Sequence, residues 1–79
     1  MNVTERELDA FIDEVERLGY VVEYGSILSY GTAEVVIHRN GARDPYEFGY
    51  DIRQIVSDLG FRDFDMHSES METIVIELF

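Results

Sequence analysis

Three residues with metal-binding side chains alternate near the end of the sequence. Asp63, Asp65 and His67 are spaced two apart, so in a β-strand they share one face. Carboxylate and imidazole groups suit a divalent cation. Because such neighbours lie about 6–7 Å apart on a strand, they chelate poorly without a ligand from a second element. The favoured interpretation is therefore a solvated edge strand, with Phe64 and Met66 pointing inward.

A second cluster holds the only local concentration of positive charge. His38, Arg39 and Arg43 flank a predicted turn and lead into the start of a helix. A helix N-terminus with nearby arginines can hold a phosphate or a carboxylate. Asp44, however, is predicted to cap that helix, and the arginines could instead pair with neighbouring acids. A domain that binds or senses a small anion is therefore an alternative function.

Catalytic and cofactor chemistry finds little support in the sequence. There is no cysteine, which excludes a disulfide, a thiolate nucleophile, a zinc knuckle and an iron–sulfur cluster. No nucleophile stands beside an oriented base, and no glycine-rich phosphate loop is visible. Since the chain has 17 acidic residues, pairs of carboxylates arise by chance. We expect a protein that is not an enzyme and that uses no cofactor.

The first helix is indicated by its start signal and its periodicity. Thr4 and Glu7 form a capping box, in which each side chain satisfies a free backbone N–H of the first turn. Gly19 suits the left-handed residue that ends a helix. Between them an apolar stripe recurs at helical spacing, made of Leu8, Phe11, Ile12, Val15 and Leu18.

A second helix repeats this plan. Asp44 can cap it, Pro45 suits its first position, and Glu47 completes a second capping box. Gly60 ends it. Its apolar stripe comprises Phe48, Ile52, Ile55, Val56 and Leu59.

Each helix is followed by two segments with the alternation of β-strands: residues 21–28 and 32–38, then 62–68 and 71–79. A shift of 41 residues lays the second half on the first. The first strands are out of phase, because Val22 and Tyr24 match Phe64 and Met66 only at a shift of 42. We therefore predict one domain, residues 1–79, built from a duplicated α-β-β unit (about 4–38 and 44–79).

This element order predicts an α+β fold. The four strands can form one antiparallel sheet of order 1-2-4-3, with the more apolar strands in the centre and both helices on one face. The arrangement resembles a ferredoxin-like fold with its first strand moved to the end. Since that fold serves binding modules, regulatory domains and enzymes alike, it does not specify a function.

The sheet face away from the helices is the most suggestive surface. Val36, Val75 and Phe79 are predicted to point there, joined by Val21 and Ile27 if the strand phases hold. Such a face could mediate self-association or hold another protein; alternatively, it stays wet. We favour a non-enzymatic interaction module that forms a homodimer. The five tyrosines either complete the core or serve this interface.

The charge balance indicates the solvent to which the chain is adapted. Seventeen acidic residues oppose six arginines, no lysine is present, and the net charge is −11. Apolar residues make up 46%, too many for a disordered chain. In molar salt the Debye length is about 3 Å, so repulsion between surface carboxylates is screened. In composition the chain resembles the small acidic proteins of salt-in haloarchaea, which implies a high-salt habitat.

The same composition disfavours two classes of partner. Nucleic-acid binding needs a basic face, which six arginines among 17 acids do not readily build. No apolar run reaches the roughly 18 residues of a membrane span, and the first residues lack the pattern of a signal peptide. We expect a cytoplasmic protein.

Overall fold

The computed structural model describes residues 2–79 as two helices that alternate with pairs of strands. The elements are α1 (Glu5–Arg17), β1 (Val21–Ile27), β2 (Ala33–His38), α2 (Pro45–Leu59), β3 (Phe64–Ser68) and β4 (Thr73–Leu78). The strands form one antiparallel sheet in the order β1-β2-β4-β3. This architecture confirms the predicted α+β fold and its strand order.

The predicted capping box of α1 is confirmed. Thr4 Oγ1 accepts a hydrogen bond from the Glu7 N–H at 3.2 Å, and the Thr4 N–H donates to Glu7 Oε1 at 2.9 Å. Leu18 is the C-cap, and Gly19 follows it with a φ of +93°. Both helix ends therefore lie where the local sequence signals put them.

The start of α2 differs from the prediction in one respect. Asp44 caps the helix by accepting a hydrogen bond from the Tyr46 N–H at 2.8 Å. Glu47 does not complete a second capping box, which corrects the sequence-based prediction. Its carboxylate instead lies 3.4 Å from Nη2 of Arg43, one turn earlier in the chain. Gly60 ends α2 in the left-handed conformation, with a φ of +78°.

Both helices pack on the same face of the sheet, and the core lies between the helices and that face. From the sheet it takes Ala33, Val35, Ile37, Ile74, Ile76 and Leu78; from the helices it takes Leu8, Phe11, Val15, Phe48, Ile52, Ile55 and Val56. Leu59, which the sequence places on the apolar stripe of α2, is 39% exposed. No helix among residues 2–79 has the length and apolar character that crossing a membrane requires.

The pairing of the central strands reflects the 41-residue repeat. Val35 pairs with Ile76, its equivalent in the second half. On either side of this pair, Ala33 pairs with Leu78 and Ile37 pairs with Ile74. The 41-residue shift relates Ala33 to Ile74 and Ile37 to Leu78, so it converts one of these pairs into the other. The two halves therefore meet about a local two-fold axis that passes through the middle of the sheet.

A β-bulge in β1 accounts for the phase difference between the halves. Val22 pairs with Ile37 and Tyr24 pairs with Val36, which leaves Glu23 as the extra residue. An extra residue reverses the faces of the side chains beyond it. Tyr24 consequently points away from the helices, and it is not equivalent to the inward-facing Met66, contrary to the sequence alignment.

The bulge also places Gly25 and Ile27 on the helix side of the sheet. Ile27 packs against the core, so its predicted position on the open face is wrong. Gly25 pairs with Val35 directly beneath α1. A Cβ atom there would lie 2.9 Å from Ile12 Cδ1, and the glycine thus permits the close approach of α1 to β1.

Candidate interface on the open sheet face

The sheet face opposite the helices, called the outer face below, presents three rows of side chains across the strands. The middle row consists of Tyr24, Val36, Val75 and His67. The row toward one end, called the acid row, consists of Ser26, Glu34, Glu77 and Asp65. The row toward the other end consists of Val21, His38 and Thr73. The other two rows therefore flank the middle row, which holds a short apolar centre.

The apolar centre is the Val36–Val75 pair. These two side chains lie directly opposite each other on the central strands, and both are only half-buried. Tyr24 extends the centre toward the β1 edge and is 44% exposed. Val21, also on β1, is 42% exposed. The predicted placement of Val21, Val36 and Val75 on this face agrees with the register.

Phe79 lies apart from this centre. It follows the end of β4 and lines a cleft of about 250 Å³ together with Val3, Phe61 and Arg62. Along β4, Glu77 lies between Val75 and Phe79. The three residues predicted as one interface patch are therefore divided by the acid row, and Phe79 belongs to the end of the sheet.

The acid row places like charges side by side. Glu34, Glu77 and Asp65 face one another across β2, β4 and β3, an arrangement that destabilises a sheet. Hydroxyl groups partly compensate it: Thr32 donates to Glu77 Oε2 at 2.7 Å, and the Tyr24 hydroxyl donates to Glu34. That hydrogen bond to a carboxylate raises the pKa of Tyr24.

No ion pair formed within residues 2–79 involves a member of the acid row. Arg17, Arg39 and Arg43 pair with acids outside this row. The row therefore forms a negatively charged margin beside the apolar centre.

The opposite row meets one carboxylate, that of Glu23, compared with the three carboxylates of the acid row. His38 Nδ1 lies 2.9 Å from Thr73 Oγ1, and His38 Nε2 lies 2.5 Å from Glu23 Oε1. Glu23 is the bulge residue of β1, so the bulge supplies the carboxylate that meets this imidazole. The two ends of the outer face thus differ in charge.

The predicted anion site is occupied by carboxylates of the chain itself. Arg39 Nη2 lies 2.6 Å from Glu72 Oε2, and its Nη1 donates to the Arg43 carbonyl at 2.5 Å. Arg43 Nε lies 2.8 Å from Asp51 Oδ2. His38 is likewise in contact with Thr73 and Glu23. An incoming anion would therefore have to displace partners that the chain itself supplies. The geometry matches the alternative in which the arginines pair with neighbouring acids.

The sequence did not reveal the part that Asp51 plays in this region. Asp51 Oδ2 accepts a hydrogen bond from the Tyr20 hydroxyl at 2.6 Å as well as from Arg43. Tyr20 is only 2% exposed, and burial together with the hydrogen bond to Asp51 raises its pKa. The carboxylate in turn raises the pKa of Arg43. This network joins α2 to the start of β1 and serves the fold.

The predicted metal site does not assemble. Within residues 2–79 no group of three or more histidine and carboxylate side chains is arranged to hold a metal ion. Asp63 Oδ1 accepts a hydrogen bond from the Phe64 N–H at 2.8 Å, just before β3. Asp65 and His67 lie on the outer face, opposite Glu77 and Val75.

Comparison with known proteins adds no functional assignment. No protein-family model, no curated protein and no solved structure matches the chain.

Proposed function

We propose that this protein is a non-enzymatic interaction module that forms a homodimer through the outer face of its sheet. The observation that supports the proposal is the half-buried Val36–Val75 pair with the exposed Tyr24 and Val21 beside it. Val36 and Val75 lie on the two central strands, whose opposite side chains are buried beneath the helices.

The size of the domain adds a physical reason for association. A chain of 79 residues buries only about 60–65% of the surface of its unfolded form, so its stability is marginal. Each additional square ångström of apolar surface removed from water contributes about 25 cal/mol. Packing two outer faces together would supply such burial where the single copy leaves apolar side chains in solvent.

The charge of the chain sets the conditions for this dimer. Two copies with a net charge of −11 each repel at low salt. In molar KCl the Debye length falls to about 3 Å, compared with about 10 Å at 0.1 M. We therefore place the dimer in a high-salt cytoplasm, and we expect dilution of the salt to dissociate it and to loosen the fold.

Light scattering behind size-exclusion chromatography in molar KCl tests the proposal. The expected mass is twice the 9.2 kDa of the chain. Val36→Glu should yield a monomer with unchanged circular dichroism, since a charge at the apolar centre cannot be buried unpaired. Ser57→Glu, at an exposed position of α2, is the matched control and should stay dimeric. A wild-type chain that remains a monomer up to millimolar concentration would falsify the proposal.

A further inference from the structure

We infer that the two copies of the dimer are related by a two-fold axis that runs along the middle row of the outer face. In this arrangement the acid row of one copy lies over the Val21, His38 and Thr73 row of the other. The inference rests on the proposed homodimer and specifies its geometry.

Sheet packing limits the arrangements to compare. Two aligned sheets pack about 10 Å apart, with strand directions within about 30° of each other. A symmetric dimer of this kind has its two-fold axis in the plane between the sheets, running either across the strands or along them. The two choices bring different rows into contact, because the rows themselves run across the strands.

An axis along the strands opposes the two acid rows. Glu34 of one copy would then lie over Glu77 of the partner subunit. The two-fold axis would repeat this contact, with Glu77 of the first copy over Glu34 of the partner subunit. Neither carboxylate has an ion-pair partner within residues 2–79. Removing unpaired like charges from solvent is strongly unfavourable, and screening by salt is weakest where water is excluded. This arrangement is selected against.

An axis along the middle row avoids that contact. Glu34 then lies over His38 of the partner subunit, and Glu77 lies over Thr73 of the partner subunit. Each acid row then faces a row with a single carboxylate, that of Glu23, which already has His38 as a hydrogen-bond partner. Val36 and Val75 meet their own copies at the centre. The asymmetry of charge along the strands thus selects the orientation, by repulsion against the alternative.

Cross-linking at His67 distinguishes the two orientations, and a chain without cysteine suits the experiment. His67 lies at the β3 end of the middle row. With the inferred axis, the substituted side chain of His67→Cys faces its own copy. With the alternative axis it faces Tyr24 of the partner subunit, and the two copies of position 67 are offset by three strand spacings, roughly 14 Å.

The experiment treats His67→Cys in molar KCl with a short bismaleimide and measures the cross-linked dimer by denaturing electrophoresis. Gln54→Cys, at an exposed position of α2, is the control for random collisions. We expect His67→Cys to cross-link at least tenfold faster than this control. Cross-linking only in a mixture of His67→Cys with Tyr24→Cys would overturn the inferred orientation and leave the homodimer intact. A monomeric wild-type chain would overturn both proposals.

A charge substitution gives a second, independent test. With the inferred axis, Thr73→Arg places a cation over Glu77 of the partner subunit twice per dimer, and the dissociation constant should fall about three- to tenfold. Adding Glu77→Gln should abolish that gain. A gain that persists in the double variant would contradict the orientation, because the cation would then be paired elsewhere.

Discussion

The two faces of the sheet are built from alternating residues of the same strands, yet they differ in burial and in charge. On β2 and β4 the helix-facing side chains are aliphatic and fully buried, and include Val35, Ile37 and Ile76. The residues between them, such as Glu34 and Glu77, are charged or half-buried. One face therefore supplies the free energy of folding, while the other keeps a small apolar centre within a charged margin.

Truncating one side chain on each face should produce the largest contrast. Ile76 is 0% exposed, so Ile76→Ala should lower the free energy of unfolding by about 4 kcal/mol. The neighbouring Val75 is half-buried in the single copy, so Val75→Ala should cost about 1 kcal/mol in the monomer. Urea denaturation in molar KCl measures both, at a protein concentration low enough to keep the chain monomeric. Equal losses would mean that the outer face is buried as deeply as the core.

Tyr20, which directly precedes β1, and Tyr24, which lies within it, offer a second contrast. Tyr20→Phe removes a buried hydrogen bond to Asp51 and should cost about 1.5 kcal/mol. Tyr24→Phe removes an exposed hydrogen bond to Glu34 and should cost much less, because solvent competes for the exposed groups. Urea denaturation compares the two, and a larger loss for Tyr24→Phe would contradict the assignment of Tyr20 to the fold.

The hydroxyl of Tyr20 should also make stability depend on alkaline pH. The pKa of Tyr20 is raised in the folded state, whereas an unfolded tyrosine titrates near pH 10. The unfolded state therefore loses its proton first, and stability falls as the pH rises above about 10. Tyr20→Phe should flatten that decline in urea denaturation between pH 8 and 11. An unchanged slope would show that the hydroxyl of Tyr20 is not retained in its protonated form by the fold.

The bulge decides which side chains of β1 reach each face, and it can be removed. Deleting Glu23 makes the pairing of Val22 with Ile37 and of Tyr24 with Val36 regular without moving any other side chain to the opposite face. We expect a folded protein that loses about 1 kcal/mol or less, mainly from the lost hydrogen bond between Glu23 and His38. Deleting Glu34 from β2 is the control, and it should prevent folding because it reverses part of a central strand. Equal effects would refute this account.

The acid row should give the smallest effect. Glu77→Gln relieves repulsion from Glu34 and Asp65 and should stabilise the fold by a few tenths of a kcal/mol at about 0.1 M KCl. In molar KCl the gain should vanish. Glu16→Gln, at an exposed position of α1, controls for the change in net charge. Thermal melts that rise equally for both variants would show that the row carries no special repulsion.

Sequence reasoning recovered the elements well because each is marked by near neighbours. The capping residues Thr4 and Asp44 and the terminating Gly60 act within a single turn of helix. The alternation of β2 and β4 follows from adjacent side chains facing opposite sides of the sheet. The strand order followed from placing the most apolar strands in the centre, where both neighbours bury them.

The candidate sites were harder to predict because their side chains are paired by tertiary contacts. Arg39 forms an ion pair with Glu72 on the neighbouring hairpin, and Arg43 forms one with Asp51 on α2. Neither acid stands out among the 17 of the sequence. The role of Tyr20 depends on the same docking of α2 against the start of β1.

The sequence by itself determined the two helices, the four strands, their order and the excess of acidic charge, since periodicity, caps and composition depend on local chemistry. Only the tertiary structure decided the phase of β1, the separation of Phe79 from Val36 and Val75, and the side-by-side placement of Glu34, Glu77 and Asp65. These features depend on strand register. A register is fixed by contacts between distant segments, and one bulged residue is enough to reverse the side chains that a strand presents.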